Sequence, residues 1–256
     1  RRASPFFLVL LLLSIIVGYC SVYAWFGKPH PVACGFQPWL LGLSSLSMIV
    51  ALAVKIFRIW RIFRFRMEKV VISNFELLVY WALLMVPAVL VLILWSIIST
   101  PTANMEHRAG EDHFVCTTGG FTGKPGGIIF FFLFVSYGAF ILFFGATISF
   151  ISRKVPNEFN ETKLLTISIY NLAFLSVVII PVYLVVNESN PFLAWILRTC
   201  AILYGFTATM ILQFVPIIWG ILITDRGKNV LEFKSKLSSS LGGSNTNQST
   251  PQTISK

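Results

Sequence analysis

The chain has 256 residues, of which 56% are hydrophobic and only 12% are charged. A soluble domain of this length needs far more charge to cover its surface, so the composition excludes an ordinary soluble protein and indicates apolar surface that faces lipid. The net charge of +10 is compatible with a nucleic-acid partner, but the positions of the basic residues indicate a membrane topology instead.

Six apolar stretches are long enough to cross a bilayer, since a helix of about 20 residues spans a hydrocarbon core of about 30 Å. The runs are continuous rather than alternating, which predicts helices and excludes a transmembrane barrel. We therefore predict an all-α membrane protein with a helical bundle over residues 1–224. The predicted spans are 5–26, 36–57, 77–99, 127–151, 164–186 and 192–223.

The basic residues lie mainly on one side of these spans. An even number of crossings places both termini on the same side, together with the loops 58–75 and 152–163. Most Lys and Arg residues fall there, whereas Lys28, Arg108, Lys124 and Arg198 fall on the other side. The positive-inside rule then predicts a multi-pass cell-membrane protein with a cytoplasmic C-terminus and no nucleic-acid partner.

Residues 225–256 differ in composition from the spans. The segment 238–256 consists almost entirely of Ser, Thr, Asn, Gln and Gly, with too little apolar content to form a packed core. We therefore predict a disordered cytoplasmic tail.

No residues with the spacing of a catalytic or metal site emerge from the sequence. It shows no paired carboxylates within a span and no Gly-rich phosphate loop. His107 and His113 lie near Cys116, but their spacing does not fit a zinc site. We therefore predict that the protein is not an enzyme and uses no metal or cofactor.

Two of the four cysteines, Cys34 and Cys116, are predicted on the outer side of the membrane. Cys34 lies at the outer end of the second span, and Cys116 lies in the 100–126 loop. That side is oxidising, so one interpretation is a disulfide that fixes the loop to the helix end, and the other is two free thiols. Cys20 and Cys200 are interpreted as small packed residues in or near apolar spans.

Lys55 is the most informative charge near a span. It follows Cys34 by roughly 21 residues, or about 31 Å of helix, which places it at the inner end of the second span. Glu161 precedes the fifth span at the same membrane face. An ion pair between them would tie two helix ends together as a latch. The alternative is that the Lys55 ammonium extends to lipid phosphates.

The stretch after the second span interleaves basic and aromatic residues, from Arg58 through Trp60 and Phe63 to Arg66. RNA-binding proteins use such mixtures, but here the stretch directly continues a membrane span. Anionic inner-leaflet lipid is the first interpretation, and docking of a cytoplasmic partner is the second.

Recognisable motifs lie at residues 26–29, 33–34, 39–43, 55–63 and 153–163. These segments resemble class C G-protein-coupled receptors. The segment 166–171 is similar to the GABA type B branch, whereas Phe159-Asn160-Glu161 and Ile180-Pro181-Val182-Tyr183 are similar to metabotropic glutamate receptors. The resemblance covers residues 3–230, which is nearly the whole predicted membrane region.

This resemblance implies a seven-helix receptor bundle of which six helices are present here, without the first helix and the extracellular ligand-binding module. It also implies a disulfide between Cys34 and Cys116. Lys55 and Glu161 would form a cytoplasmic ionic lock that Ser4 joins. The residues expected to face the G protein are Arg58, Arg61, Arg64, Arg66, Lys69, Arg153 and Lys154.

The resemblance predicts a transmembrane domain that transmits the signal of an extracellular small-molecule agonist to a heterotrimeric G protein. It further implies contact with membrane lipid and a homo- or heterodimer. The chain departs from glutamate-type members at Ser176, where they have Trp, and at Ile217 after Pro216, where they have Lys. The alternatives are a transporter or channel subunit and a coupling-deficient subunit that supports a partner receptor. The ionisable residues cluster at span ends, which argues against a transport path.

Overall fold

The computed structural model describes residues 5–23, 31–64, 74–99, 101–108, 111–118, 126–152, 160–189 and 191–242. Within these residues the chain forms a helical bundle with one β-hairpin, and the predicted helical membrane fold is confirmed. The elements are α1 (Pro5–Tyr23), α2 (Pro31–Arg64), α3 (Asn74–Ile98), β1 (Pro101–Arg108), β2 (Glu111–Thr118), α4 (Gly126–Ser152), α5 (Asn160–Ser189) and α6 (Pro191–Gly242).

Five of the described helices contain a stretch long and apolar enough to cross a membrane, and Phe7–Tyr23 of α1 is a shorter apolar helix. The large apolar side chains on their outer surfaces are widely exposed, including Phe143 and Val177, each at 73%. Such a surface would make a water-soluble protein aggregate, whereas in a bilayer it faces acyl chains. The five stretches are Cys34–Arg61, Phe75–Ile98, Gly126–Ser152, Lys163–Val186 and Phe192–Trp219.

Helix α2 forms the centre of the bundle, because it packs against α1, α3, α4 and α5. Its residues 50–56 are buried without interruption, as expected for a helix that is surrounded by others. Around Val50 the main core cluster joins Phe7 of α1, Leu77 of α3 and Ile141 of α4. The central helix therefore carries the contacts through which the other helices influence one another.

Small residues allow α2, α4 and α5 to approach closely. A Cβ atom built at Gly145 of α4 would lie 3.6 Å from the Cβ of Ala53 and 3.7 Å from Cδ1 of Ile169. Gly and Ala at such a position let helix backbones come near one another in a membrane. This convergence fixes the relative height of the three helices that carry the candidate site.

Helices α1 and α6 meet at Gly18. The aromatic ring of Phe206 occupies the space where a Cβ atom of residue 18 would lie. Beside it, the hydroxyls of Tyr19 and Thr207 form a hydrogen bond of 2.8 Å. A side chain at position 18 must therefore displace the buried ring of Phe206.

We expect Gly18→Val to weaken the packing of α1 against α6 by about 1–3 kcal/mol, because overpacking a buried contact forces strain. Thermal unfolding of the purified protein in detergent measures this loss. Gly35→Ala is the matched control, since in the described part of the chain no atom beyond its own stretch of helix lies within 4 Å of a Cβ at that position. Equal thermal stability of the Gly18→Val and Gly35→Ala variants would contradict the tight contact.

The β-hairpin between α3 and α4 was not predicted from the sequence. Its antiparallel strands pair Pro101 with Thr118 and Arg108 with Glu111, and β1 packs against α2. Its residues are mostly polar and show no sustained alternation of apolar and polar types, so the usual sequence signal for a strand is weak. Ala103 of β1 lies opposite Cys116 of β2.

The chain divides into two compact units, Arg1–Gln213 and Phe214–Lys256. In the second unit α6 continues to Gly242, whereas the sequence predicted disorder from residue 225. Val230, Phe233, Leu237 and Leu241 recur at intervals of three and four residues, a pattern that favours an amphipathic helix over a disordered tail. The rest of the predicted tail, residues 243–256, lies outside the described residues.

Candidate functional site

The termini of four helices converge at one end of the bundle. Helix α2 ends at Arg64 and α4 ends at Ser152, while α3 begins at Asn74 and α5 begins at Asn160. We call this end of the bundle the Lys55 end, after the lysine predicted to lie there.

Lys55 is buried, with only 9% of its surface exposed. It lies between the buried residues Val54 and Ile56 on the central helix, which packs against α4 and α5. An ammonium group in such a position is costly unless the protein compensates its charge, so a buried lysine at a helix end is a functional candidate.

One buried and one partly buried hydrogen bond link α4, α5 and α6 near the Lys55 end. The Ser149 hydroxyl of α4 donates to Thr166 of α5 at 2.6 Å. Gln213 Nε2 of α6 donates to the Ser168 hydroxyl of α5 at 2.9 Å. We call these four side chains the polar layer. In an apolar environment such bonds between helices contribute about 1 kcal/mol each to helix association.

Ser152 is the last residue of α4 at this end. Its hydroxyl is buried, with the residue 3% exposed, and makes no hydrogen bond within the described part of the chain. Buried hydroxyls are normally hydrogen-bonded, so Ser152 adds one more polar side chain to this end of the bundle.

The sequence analysis did not identify Ser149, Ser152, Ser168 or Gln213. A serine in a helix satisfies itself by donating to a preceding carbonyl, as Ser168 does to Leu164 at 2.9 Å, so its residue type does not reveal a partner on another helix. Gln213 could have been found, because an amide side chain inside an apolar span is rare and needs a partner.

The structure describes only some of the predicted lock and G-protein-facing residues. Glu161 is in the first turn of α5, at the same end of the bundle as Lys55, but its side chain lies outside the described part. The Lys55–Glu161 pair therefore stays a prediction. Arg58 and Arg61 are half-buried. Outside the described residues or side chains lie Ser4, Arg64, Arg66, Lys69, Arg153 and Lys154.

At the opposite end of α2, Cys34 is buried and disulfide-bonded. Cys20 and Cys200 are exposed free thiols, so the interpretation of these two cysteines as small packed residues is wrong. Cys116 belongs to β2, and its side chain lies outside the described part of the structure. The pairing of Cys34 with Cys116 therefore stays a prediction.

The described residues contain no group of three or more His, Cys, Asp and Glu side chains that could hold a metal ion. Ser176, at one of the two departures from the glutamate-type pattern, donates its hydroxyl to the Leu172 carbonyl at 2.8 Å. Its polar group is therefore satisfied within α5 itself.

Comparison with known proteins decides the family. Residues 1–217 match the family model described as "7 transmembrane sweet-taste receptor of 3 GCPR". The chain belongs to the class C G-protein-coupled receptors. This confirms the resemblance noted in the sequence. The family consists of receptors and not of enzymes, so the chain is a receptor transmembrane domain in a membrane.

Curated relatives of this class C domain come from Dictyostelium discoideum. Metabotropic glutamate receptor-like proteins E, M and C are each 29% identical to it, over 228, 248 and 246 residues. These matches cover 87%, 94% and 93% of this chain but only 27%, 32% and 30% of the respective relatives. The chain thus spans about a third or less of the length of these relatives.

Proposed function

We propose that this transmembrane domain transmits an extracellular ligand signal to a heterotrimeric G protein through its Lys55 end. The observation that carries the proposal is the burial of Lys55 on the central helix, where α4 and α5 pack against α2. A charge at that position couples the end of the central helix to its neighbours. The match of residues 1–217 to the receptor family supports the same function.

In this proposal Lys55 pairs with Glu161 and holds the ends of α2 and α5 together in the resting state. Ser4 joins the pair. An active state separates the helix ends and breaks it, so a ligand or G protein that prefers the separated state shifts the equilibrium towards it. The polar layer permits such a shift at low cost, because hydroxyl groups can exchange one hydroxyl or carbonyl partner for another.

The proposed orientation places the Lys55 end and the C-terminus in the cytoplasm, as the distribution of basic residues predicts. The basic residues at this end that do not face lipid would then face the G protein. A small-molecule agonist would bind a module outside this chain, and the receptor would act as a homo- or heterodimer related to the GABA type B branch. The outer hairpin would be fixed to α2 by the disulfide between Cys34 and Cys116.

The function is tested with the full-length receptor reconstituted in nanodiscs and mixed with purified heterotrimeric G proteins. We expect basal nucleotide exchange above that of empty nanodiscs, because an equilibrium between two states populates the active one without agonist. Solute flux in liposomes is the control for a transporter or channel. Absence of exchange with every G-protein class, for a receptor that folds, would contradict direct coupling.

A second candidate function is that of a coupling-deficient partner subunit. It is favoured by Ile217, which follows Pro216 where glutamate-type members have Lys. This candidate predicts that exchange appears only when a second class C receptor is present in the same nanodisc.

A further inference from the structure

An arginine and three aromatic residues form a small cluster where α2 and α3 meet at the Lys55 end. Arg61 Nη1 donates a hydrogen bond of 3.3 Å to the Tyr80 hydroxyl. The Phe57 ring lies edge-on to Tyr80 with centroids 6.1 Å apart, and the Trp60 ring lies 5.7 Å from Phe57. We call these four residues the arginine–aromatic corner. Its aromatic contacts limit the movement of Tyr80 and so define where the guanidinium binds.

The corner opens towards lipid rather than towards the interior of the bundle. Tyr80 is 38% exposed and lies on the same outer surface of α3 as Phe75, Val79 and Leu83, which are all exposed. Large apolar side chains on a membrane helix are exposed where the helix faces acyl chains. The guanidinium of Arg61, bonded to Tyr80, is therefore directed to the lipid-facing surface. A G protein that docks on the interior of this end would not need the Arg61 guanidinium on the lipid-facing surface.

The corner also lies at the depth of the lipid headgroups. Arg61 follows Lys55 by six residues, or about 9 Å of helix. The headgroup region adds about 5–7 Å on each side of the hydrocarbon core. Helical side chains lean towards the N-terminus of their helix. Arg61 therefore leans back towards the membrane centre, and Tyr80 leans away from it, towards the start of α3. The two side chains meet in the headgroup region because α2 and α3 run in opposite directions.

We propose that the arginine–aromatic corner binds the headgroup phosphate of an anionic phospholipid. A guanidinium has five N–H donors in a planar fork, which matches two oxygens of one phosphate. Tyr80 engages one side of the fork and leaves donors on the other. The exposed Glu76 precedes Tyr80 by one turn of α3, but the hydrogen bond of Arg61 is to the Tyr80 hydroxyl.

An anionic headgroup is favoured over a zwitterionic one by charge. Arg58, one turn before Arg61 on α2, adds a second positive charge to this edge, and each basic residue near the membrane surface favours anionic lipid. This inference depends on the membrane location of the domain and is independent of G-protein coupling.

Native mass spectrometry of the purified full-length receptor, titrated with phosphatidylserine or phosphatidylcholine, tests the site. We expect one phosphatidylserine to be retained preferentially, and Arg61→Gln to weaken that binding roughly fivefold, as the loss of about 1 kcal/mol predicts. Tyr80→Phe should weaken it less, because it removes only the group that orients the fork. Lys163→Gln is the matched control, since it removes one exposed charge from the same end on α5.

Three results would overturn the proposal. Equal loss of phosphatidylserine in the Arg61→Gln and Lys163→Gln variants would mean that only overall charge matters. Unchanged binding in Arg61→Lys, which keeps the charge without the planar fork, would exclude the proposed geometry. Full lipid retention in Arg61→Gln, combined with lost nucleotide exchange, would make Arg61 a G-protein contact. Thermal unfolding of each variant checks that the fold is intact.

Discussion

The charge reversals Lys55→Glu and Glu161→Lys should each raise basal nucleotide exchange on the G protein. The double variant, which carries both reversals, should return basal nucleotide exchange to a low level. Each single reversal replaces an attraction between the ends of α2 and α5 with a repulsion. For a partly buried pair the lost attraction is about 1–2 kcal/mol, which corresponds to a roughly five- to thirtyfold shift of the equilibrium towards the separated state. Exchange assays on the full-length receptor in nanodiscs measure this shift.

The matched control for these reversals is Lys163→Glu. Lys163 is exposed and lies within two residues of Glu161 on α5, so its reversal makes the same change in net charge as Lys55→Glu without touching the proposed pair. It should leave basal exchange near the wild-type level. The latch is contradicted if both single reversals behave like wild type. It is also contradicted if the double variant keeps the elevated exchange of the singles, because an ion pair must tolerate the swap.

The sequence was sufficient to predict the helices but not their arrangement. The length and hydropathy of an apolar segment identify a membrane span, because a spanning helix must be apolar across the whole thickness of the hydrocarbon core. They do not reveal which helix is central. Within Cys34–Arg61 an 18-residue apolar segment has a mean hydropathy of 2.1 and 61% of its residues buried, whereas the corresponding segment within Phe75–Ile98 has a mean hydropathy of 2.8 and only 22% buried. In a membrane the lipid-facing surface is as apolar as the core, so hydropathy and burial are not coupled.

The candidate site was predictable only where a charge interrupts an apolar run. Lys55 could be placed at the end of a span from its distance to Cys34, and the structure describes it as buried. The polar layer could not be predicted, because Ser149 and Ser168 are compatible with an isolated helix. Their hydrogen bonds to other helices form only when the helices pack. The hairpin escaped detection for a similar reason, since each strand depends on backbone pairing with the other rather than on its own residue pattern.

The substitution Cys34→Ser should destabilise the outer end of the bundle, and Cys116→Ser should have the same effect. The predicted disulfide would join the beginning of α2 to β2, and the β1 strand that pairs with β2 packs against α2. A native disulfide contributes about 2–4 kcal/mol, mainly by limiting the conformations of the unfolded chain. Thermal unfolding of the purified receptor measures the loss. Because either serine removes the same bond, the double variant should be no less stable than the singles.

The chain supplies its own controls for the thiol chemistry. Cys20 and Cys200 are free and exposed, so Cys20→Ser and Cys200→Ser should unfold at the wild-type temperature. Alkylation of the receptor denatured without a reductant, followed by mass spectrometry, should label these two thiols and leave Cys34 and Cys116 unlabelled until a reductant is added. Labelling of Cys34 and Cys116 without reduction would exclude the disulfide. With the bond intact, the hairpin is fixed to the central helix that carries Lys55, so a displacement of the hairpin acts on the same helix as the proposed latch.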